Sequence, residues 1–271
     1  MRGNGATSFD LPGSLAVERD GPVLVVRLCR TAKRNALDDA TIAGLEAVFA
    51  HPGPDVRAAV IEAEGDHFSA GVDLSALAER DAAQGLAHSM TWHRAFDRIQ
   101  FGAVPVVAVL KGAVIGGGLE LACATHIRVA EPTAYYALPE GARGIFVGGG
   151  ASVRLPRLIG VARMADMMLT GRTYTAEEGL ALGFSQYLVD AGAGHAKALE
   201  LAHRIAGNAP MTNLAVIQAL PRIAESDPSA GLLAEAMMSA IAQSDGEAKR
   251  RIREFLDKRA AKVVPARGAK T

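Results

Sequence analysis

Cysteine is nearly absent from the chain: Cys29 and Cys123 are the only two in 271 residues, and both lie in apolar segments. A disulfide framework is therefore excluded, and the pair reads as buried thiols in a reducing compartment. An excess of charge of either sign is also missing, since 29 Lys and Arg balance 29 Asp and Glu. No basic field exists to draw in nucleic acid or an anionic membrane, so an anionic ligand must be met locally by a few cations and helix N-termini. No apolar run approaches the roughly 20 residues that cross a bilayer. Residues 1–13 lack the apolar stretch of a secretory signal, which makes a cytoplasmic location the expectation. The seven histidines show no H-x-x-x-H pair and no ligand spacing with cysteine, so no metal site is expected. Ser69 and Ser152 lack the G-x-S-x-G context of a nucleophile elbow.

What is present is a strongly apolar chain, 49% hydrophobic and 21% charged, which calls for a packed core rather than disorder. Residues 15–19 and Val23–Leu28 are short apolar runs joined by Asp20-Gly21, a hairpin-favouring pair. Asp38 and Asp39 stand at an N-cap ahead of Ile42, Leu45, Val48 and Phe49 at helical spacing. Ala58–Ala63, 105–110, Ile127–Ala130, 135–138 and 184–189 read as strands. Helices are expected over 84–101, over 119–124, after Gly148-Gly149-Gly150, and from the capping pair Thr175 and Glu178 to Gly183. From about residue 195 four helical segments follow, broken near Pro210, Pro228 and Asp245-Gly246. The pattern predicts a loose tail over 1–13, an α/β core over 14–194, a helical region over 195–260 and a frayed basic tail over 261–271.

Three places break the rules of core design. Gly116-Gly117-Gly118 sits between a buried strand and an apolar helix, where glycine lets backbone amides approach a ligand and a helix N-terminus adds partial positive charge. Glu120 interrupts that apolar helix; if buried, its pKa rises toward the range useful for acid–base work. Glu140 follows a strand end, a position that can face a cleft. Taken singly, the glycines also suit a tight packing turn, Glu120 an exposed helix position, and Glu140 an ordinary loop acid. Trp92 and Phe96 share a helix face that reads first as core and second as a pocket wall.

Together these segments resemble the enoyl-CoA hydratase/isomerase family, also called the crotonase family. Asn35-Ala36-Leu37 resembles its N-A-L, and Phe68-Ser69-Ala70-Gly71-Val72-Asp73-Leu74 its F-x-A-G-x-D-[LI]. Residues 105–122 resemble its K-P-V-I-A-A-V-x-G-x-x-x-G-G-G-x-E-L-A, with Val104 in place of the lysine. Pro139-Glu140, the glycines at 148–150, the segment 184–189 and the ending Phe255-Leu256-Asp257-Lys258-Arg259 follow in order. The resemblance implies an α/β spiral of ββα units with C-terminal helices that assemble trimers, often paired into hexamers. It implies a coenzyme A thioester as substrate and no metal or redox cofactor.

Carried over by position, the resemblance makes the amides of Val72 and Gly117 an oxyanion hole. Glu120 becomes the base that orients and deprotonates water, Glu140 the donor of a proton to Cα, and the Gly148 amide a holder of the water. Ala36, Ala70, Asp73 and Leu74 fall along the coenzyme A and substrate path. Retention of both acids favours hydration of a 2-enoyl thioester over the isomerase, hydrolase or lyase chemistry of other members, and over a non-catalytic or RNA-binding role. Three departures stand out: Val147 replaces the hydratases' proline, His126 replaces an aspartate, and residues 30–33 lack the usual proline. A reshaped pocket around 141–146 is the expectation.

Overall fold

The computed structural model describes residues 9–73, 75 and 79–257. The chain opens with the expected hairpin of β1 (Leu15–Asp20) and β2 (Val23–Leu28), turned at Gly21 with φ 58°. Helix α1 (Asp39–Ala50) follows, capped by the Asp38 carboxylate, which accepts from the Thr41 N–H. Strand β3 (Ala58–Ala63) then pairs in parallel with β2. Helix α2 (Ala82–Gln100) starts at a capping box made by Asp81 and Gln84. Strands β4 (Val106–Leu110) and β5 (Ala113–Ile115) lead into helix α3 (Gly117–Ala124). Strands β6 (Ile127–Ala130) and β7 (Tyr135–Ala137) repeat that step before α4 (Ala151–Ile159). Helix α5 (Val161–Thr170), strand β8 (Tyr174–Thr175), helix α6 (Ala176–Leu182), strand β9 (Tyr187–Leu188) and helix α7 (Gly194–Ala206) complete this part.

The strands sort into two sheets. A six-stranded sheet has the order β1-β2-β3-β4-β6-β9, and a three-stranded sheet the order β5-β7-β8. Ser69 bridges to Val114 and extends the smaller sheet. The steps β4-β5-α3 and β6-β7-α4 thus each place one strand in each sheet and then a helix, as in the spiral that the resemblance implies. Strands β3 and β4 are buried along their whole length because both faces of the large sheet are covered, as continuous apolar runs require. One face packs on the main core with Leu24, Val26, Ile61 and Leu110. The other face carries Val23, Val25, Val60, Val107 and Val109 and is covered by Ala198, Leu201 and Ala202 of α7.

That cover moves a boundary. The chain divides into one compact unit up to Asn208 and a second from Ala209, so α7 belongs to the α/β unit, whereas the sequence pattern begins the helical region at 195. The apolar stripe of α7 is spent on the second face of the sheet. The second unit is helical, with α8 (Pro210–Glu225), α9 (Pro228–Ser244) and α10 (Gly246–Leu256). At the other end, Phe9 and Leu11 are partly buried against the main core, so the described part of segment 1–13 is packed rather than loose. The expected strand over 184–189 shrinks to Tyr187–Leu188. The Phe184 and Ser185 amides instead cap α6 by donating to the Gly179 carbonyl. Among the described residues no helix is long and apolar enough to cross a membrane.

His126 has a structural task. Its Nδ1 accepts from the Val106 N–H at 2.9 Å, and its Nε2 lies 2.9 Å from the Gln100 carbonyl. That pattern needs the neutral Nε2–H tautomer, and burial pushes the ring down to about 4. The unfolded chain binds this proton at higher pH than the folded one, so the stabilisation is complete above about pH 6.5 and is lost as pH falls towards 4. Urea unfolding of the wild type should therefore show a loss on the order of 2 kcal/mol between pH 7 and pH 4.5 from this group. His126→Gln should show a correspondingly smaller loss; equal pH slopes in the two proteins would reject the assignment.

Candidate active site

The site is built around the N-terminus of α3. Gly116, its N-cap, adopts φ 51° and ψ −122°, a backbone shape that a side chain strongly disfavours. Gly117, the first helical residue, has no intrahelical acceptor for its N–H. A Cβ on Gly117 would stand 2.7 Å from Trp92 Cζ3 and 3.3 Å from Val72 Cγ2. Glycine is required for this approach.

Val72 reaches the same place from another segment. It forms a parallel bridge with Leu37, in which Leu37 N–H donates to Gly71 O and Asp73 N–H donates to Leu37 O. The alternation of the bridge turns the Val72 N–H to the opposite side, where it meets no acceptor among the described residues. Gly71 has φ 92°, and a Cβ there would lie 2.7 Å from Ile115 O and 3.3 Å from Gly117 N. Two unspent backbone donors therefore come from adjoining segments.

Both glutamates are buried close by. Glu120 is 3% exposed, one turn into α3. Its Oε1 accepts from Gly149 N–H at 2.8 Å and from Ala151 N–H at 3.0 Å, so the N-terminus of α4 fixes one oxygen and leaves Oε2. Burial pushes its carboxyl above the usual range, opposed by the Ala151 and Gly149 amides and by the Arg154 and His93 charges. Arg154, also buried, donates to Gly149 O, Asp97 and Gln100 and so braces the loop that holds Glu120.

Glu140 caps a 3-10 turn, Gly141–Arg143, just past β7. A Cβ on Gly116 would be 2.6 Å from its Oε1, which puts this carboxyl against the N-cap of α3. Its Oε2 is buried with no partner among the described residues. Burial pushes Glu140 up to about 7, and the charge of Glu120 acts in the same direction. The charge of Glu120 thus helps to keep the proton on Glu140.

A cavity of about 250 Å³ opens beside these groups, walled by Val72, Glu120, Gly148 and Gly149 at one end and by Trp92, Ser89, His88 and Arg80 along α2. Ile145 and Phe146 form its outer apolar side. Gly117 and Glu140 adjoin this space through Val72, Trp92 and Gly116 rather than lining it. A larger hollow of about 430 Å³ near His67 and Lys111 contains neither glutamate and neither free amide, so chemistry rather than size selects the site.

Ala36 and Ala70 do not line the cavity; the Ala36 carbonyl accepts from Arg30 and the Ala70 N–H donates to Arg34 O. The Asp73 carboxylate is committed to protein partners, Arg30 at 2.7 Å and Lys33 at 2.9 Å. The Ser75 hydroxyl, then Lys33 and Arg30, hold its carboxyl well below the usual range. Leu74 lies outside the described residues. Sequence reasoning missed the Gly149 and Ala151 amides and the Arg154 brace. The signal was the three glycines at 148–150, whose partner 29 residues away no local pattern reveals. Trp92 is both things at once, 2% exposed in the core and part of the cavity wall. Among the described residues no cluster of three or more metal-ligating side chains occurs.

Comparison with known proteins gives a consistent result. The model of the enoyl-CoA hydratase/isomerase family matches residues 18–263. The short-chain-enoyl-CoA hydratase of Clostridium acetobutylicum is 29% identical over 91% of this chain and 95% of its own. The 2,3-dehydroadipyl-CoA hydratase of Escherichia coli is 32% identical over 90% and 96%. A crystal structure of a candidate enoyl-CoA hydratase from Rhodopseudomonas palustris shares 64% identity with a TM-score of 0.90, covering 93% of this chain and 98% of that one.

Proposed function

The chain belongs to the enoyl-CoA hydratase/isomerase family, and we propose that it hydrates 2-enoyl-CoA thioesters to 3-hydroxyacyl-CoA and catalyses the reverse dehydration. The observation that carries this reading is the pair of buried carboxyls, Glu120 and Glu140, beside the unspent amides of Val72 and Gly117. The hydratase names of the relatives support it.

In this reading the thioester oxygen accepts from the Val72 and Gly117 N–H groups. Glu120 Oε2 takes a proton from water while the oxygen of that water adds to Cβ, and the Gly148 amide steadies the water. The electron pair of the double bond moves onto the thioester as an enolate, whose charge the two amides meet. Preorganised donors of this kind are worth about 3–4 kcal/mol each in the transition state. Glu140 then gives its proton to Cα. One carboxyl has gained a proton and the other has lost one, and exchange with solvent resets the pair. The reaction needs no cofactor, because coenzyme A is part of the substrate.

The same reading carries an assembly of three chains, or of two such trimers. Leu232, Leu233 and Met237 of α9 are each more than half exposed, an apolar surface suited to self-association.

The test is an assay of 2-enoyl and 3-enoyl thioesters side by side. Water addition to the 2-enoyl compound, with no faster turnover of the 3-enoyl one, is the expected outcome. Isomerisation of the 3-enoyl compound without hydration of the other would replace this reading.

A further inference from the structure

Arg80 stands in the wall of the cavity, and nothing in the hydration chemistry uses it. Its side chain is 23% exposed, and Asp39 Oδ2 approaches it only at 4.0 Å. That carboxylate is itself 69% exposed and lies nearer to His88, at 3.0 Å. The guanidinium finds no hydrogen-bond acceptor among the described residues. No described residue takes any of the five donors of this largely sheltered, always charged group, which lines a ligand-sized cavity.

Its position fits the far end of an acyl group. A Cβ on Gly117 would stand 2.7 Å from Trp92 Cζ3, so Trp92 marks the thioester end. The His88 ring lies 5.8 Å from the Trp92 ring, and Gly85 follows one turn further along α2. Seven residues of helix span roughly 10 Å. Gly85 leaves the space beside it open, since a Cβ there would meet nothing within 4 Å. Opposite, Ile145 and Phe146 supply an apolar wall for methylene groups. The cavity therefore runs from Val72 and Glu120, between the apolar Ile145 and Phe146 and the Ser89 and His88 side of α2, to a cation.

We propose that this cavity selects acyl-thioesters whose acyl chain ends in a carboxylate, with Arg80 as the counter-ion of that terminal group. The proposal rests on the hydratase reading and names its substrate class. A planar carboxylate can take two parallel N–H donors from the guanidinium, which Asp39 at 4.0 Å does not. Coenzyme A also carries anions, its phosphates, and these are the other source of the same chemistry.

The experiment compares kcat/KM for 2-hexenoyl-CoA and for its analogue with a carboxylate in place of the terminal methyl, in the wild type, Arg80→Gln and Arg80→Lys. The wild type should prefer the carboxylate by about tenfold or more. Arg80→Gln should erase that preference and Arg80→Lys restore part of it. The same acyl groups on pantetheine, which lacks the nucleotide phosphates, should keep the wild-type preference. A wild-type preference for the methyl terminus overturns the proposal whatever the variants do. So does an Arg80→Gln loss that is equal for both acyl groups and vanishes on pantetheine, which would assign Arg80 to the phosphates. If neither thioester is hydrated at all, the hydratase reading fails first, and the proposal with it.

Discussion

Glu120→Gln lowers kcat for hydration by about 10²–10⁴-fold, the range associated with loss of a positioned general base. The geometry makes this a clean substitution. Glutamine keeps an oxygen to accept from Gly149 N–H and Ala151 N–H, the two bonds that fix Glu120 Oε1. What is lost is the second oxygen as a base. Because burial works against the ionised carboxyl, the neutral variant should melt at the same temperature as the wild type or higher. Thermal unfolding and single-turnover hydration measured on one preparation check both halves. Activity near the wild-type level in a folded variant would remove Glu120 from the chemistry.

Glu140→Gln is expected to cost a similar factor, and it also has a pH signature. With its carboxyl pushed up to about 7, Glu140 holds its proton below that pH and loses it above. As the donor to Cα, it should make hydration fall as pH rises through about 7. The reverse reaction starts from the same singly protonated pair, with the proton on Glu120, so dehydration should fall over the same interval. The variant should lose this limb in both directions. Stability follows the same group: a carboxyl whose pKa is raised in the folded state stabilises below its unfolded pKa, and that contribution disappears as pH climbs through the folded one. Glu140→Gln should therefore gain on the wild type in thermal unfolding as pH rises from about 4.5 to about 7. Parallel pH profiles for the two proteins would contradict the assignment.

The elements most legible in the sequence were those set by local chemistry. The Asp20-Gly21 turn, the Asp38 cap, the Thr175 and Glu178 capping box and the proline-led starts of α8 and α9 all act within a few residues. The apolar runs of β3 and β4 were equally plain, because both faces of those strands are buried. The smaller sheet was not fully foreseen: its strands are three residues or fewer, too short to show a period. Phe184 read as strand because its apolar character is real, but it serves the Tyr136 stack, with ring centroids 4.6 Å apart, and the cap of α6. For α7, periodicity announced a helix and could not say which unit it would cover.

The site divides along the same line. The glycines at 116–118 and the acids Glu120 and Glu140 stood out because they violate core composition, and their spacing supported the family resemblance. What they meet is set by long-range contact. The bond from Gly149 to Glu120, the reach of Arg154 to Asp97 and the ion pairs of Asp73 with Arg30 and Lys33 join residues that no local rule connects.

The most direct measurement is a crystal structure of the enzyme with an unreactive acyl-CoA or a 3-hydroxyacyl-CoA bound. The account predicts the thioester oxygen at about 3 Å from both the Val72 and Gly117 nitrogens, with Glu120 Oε2 towards Cβ and the Glu140 carboxyl towards Cα. A thioester bound away from those amides, or with the two carboxyls out of reach of its Cα and Cβ, would contradict it.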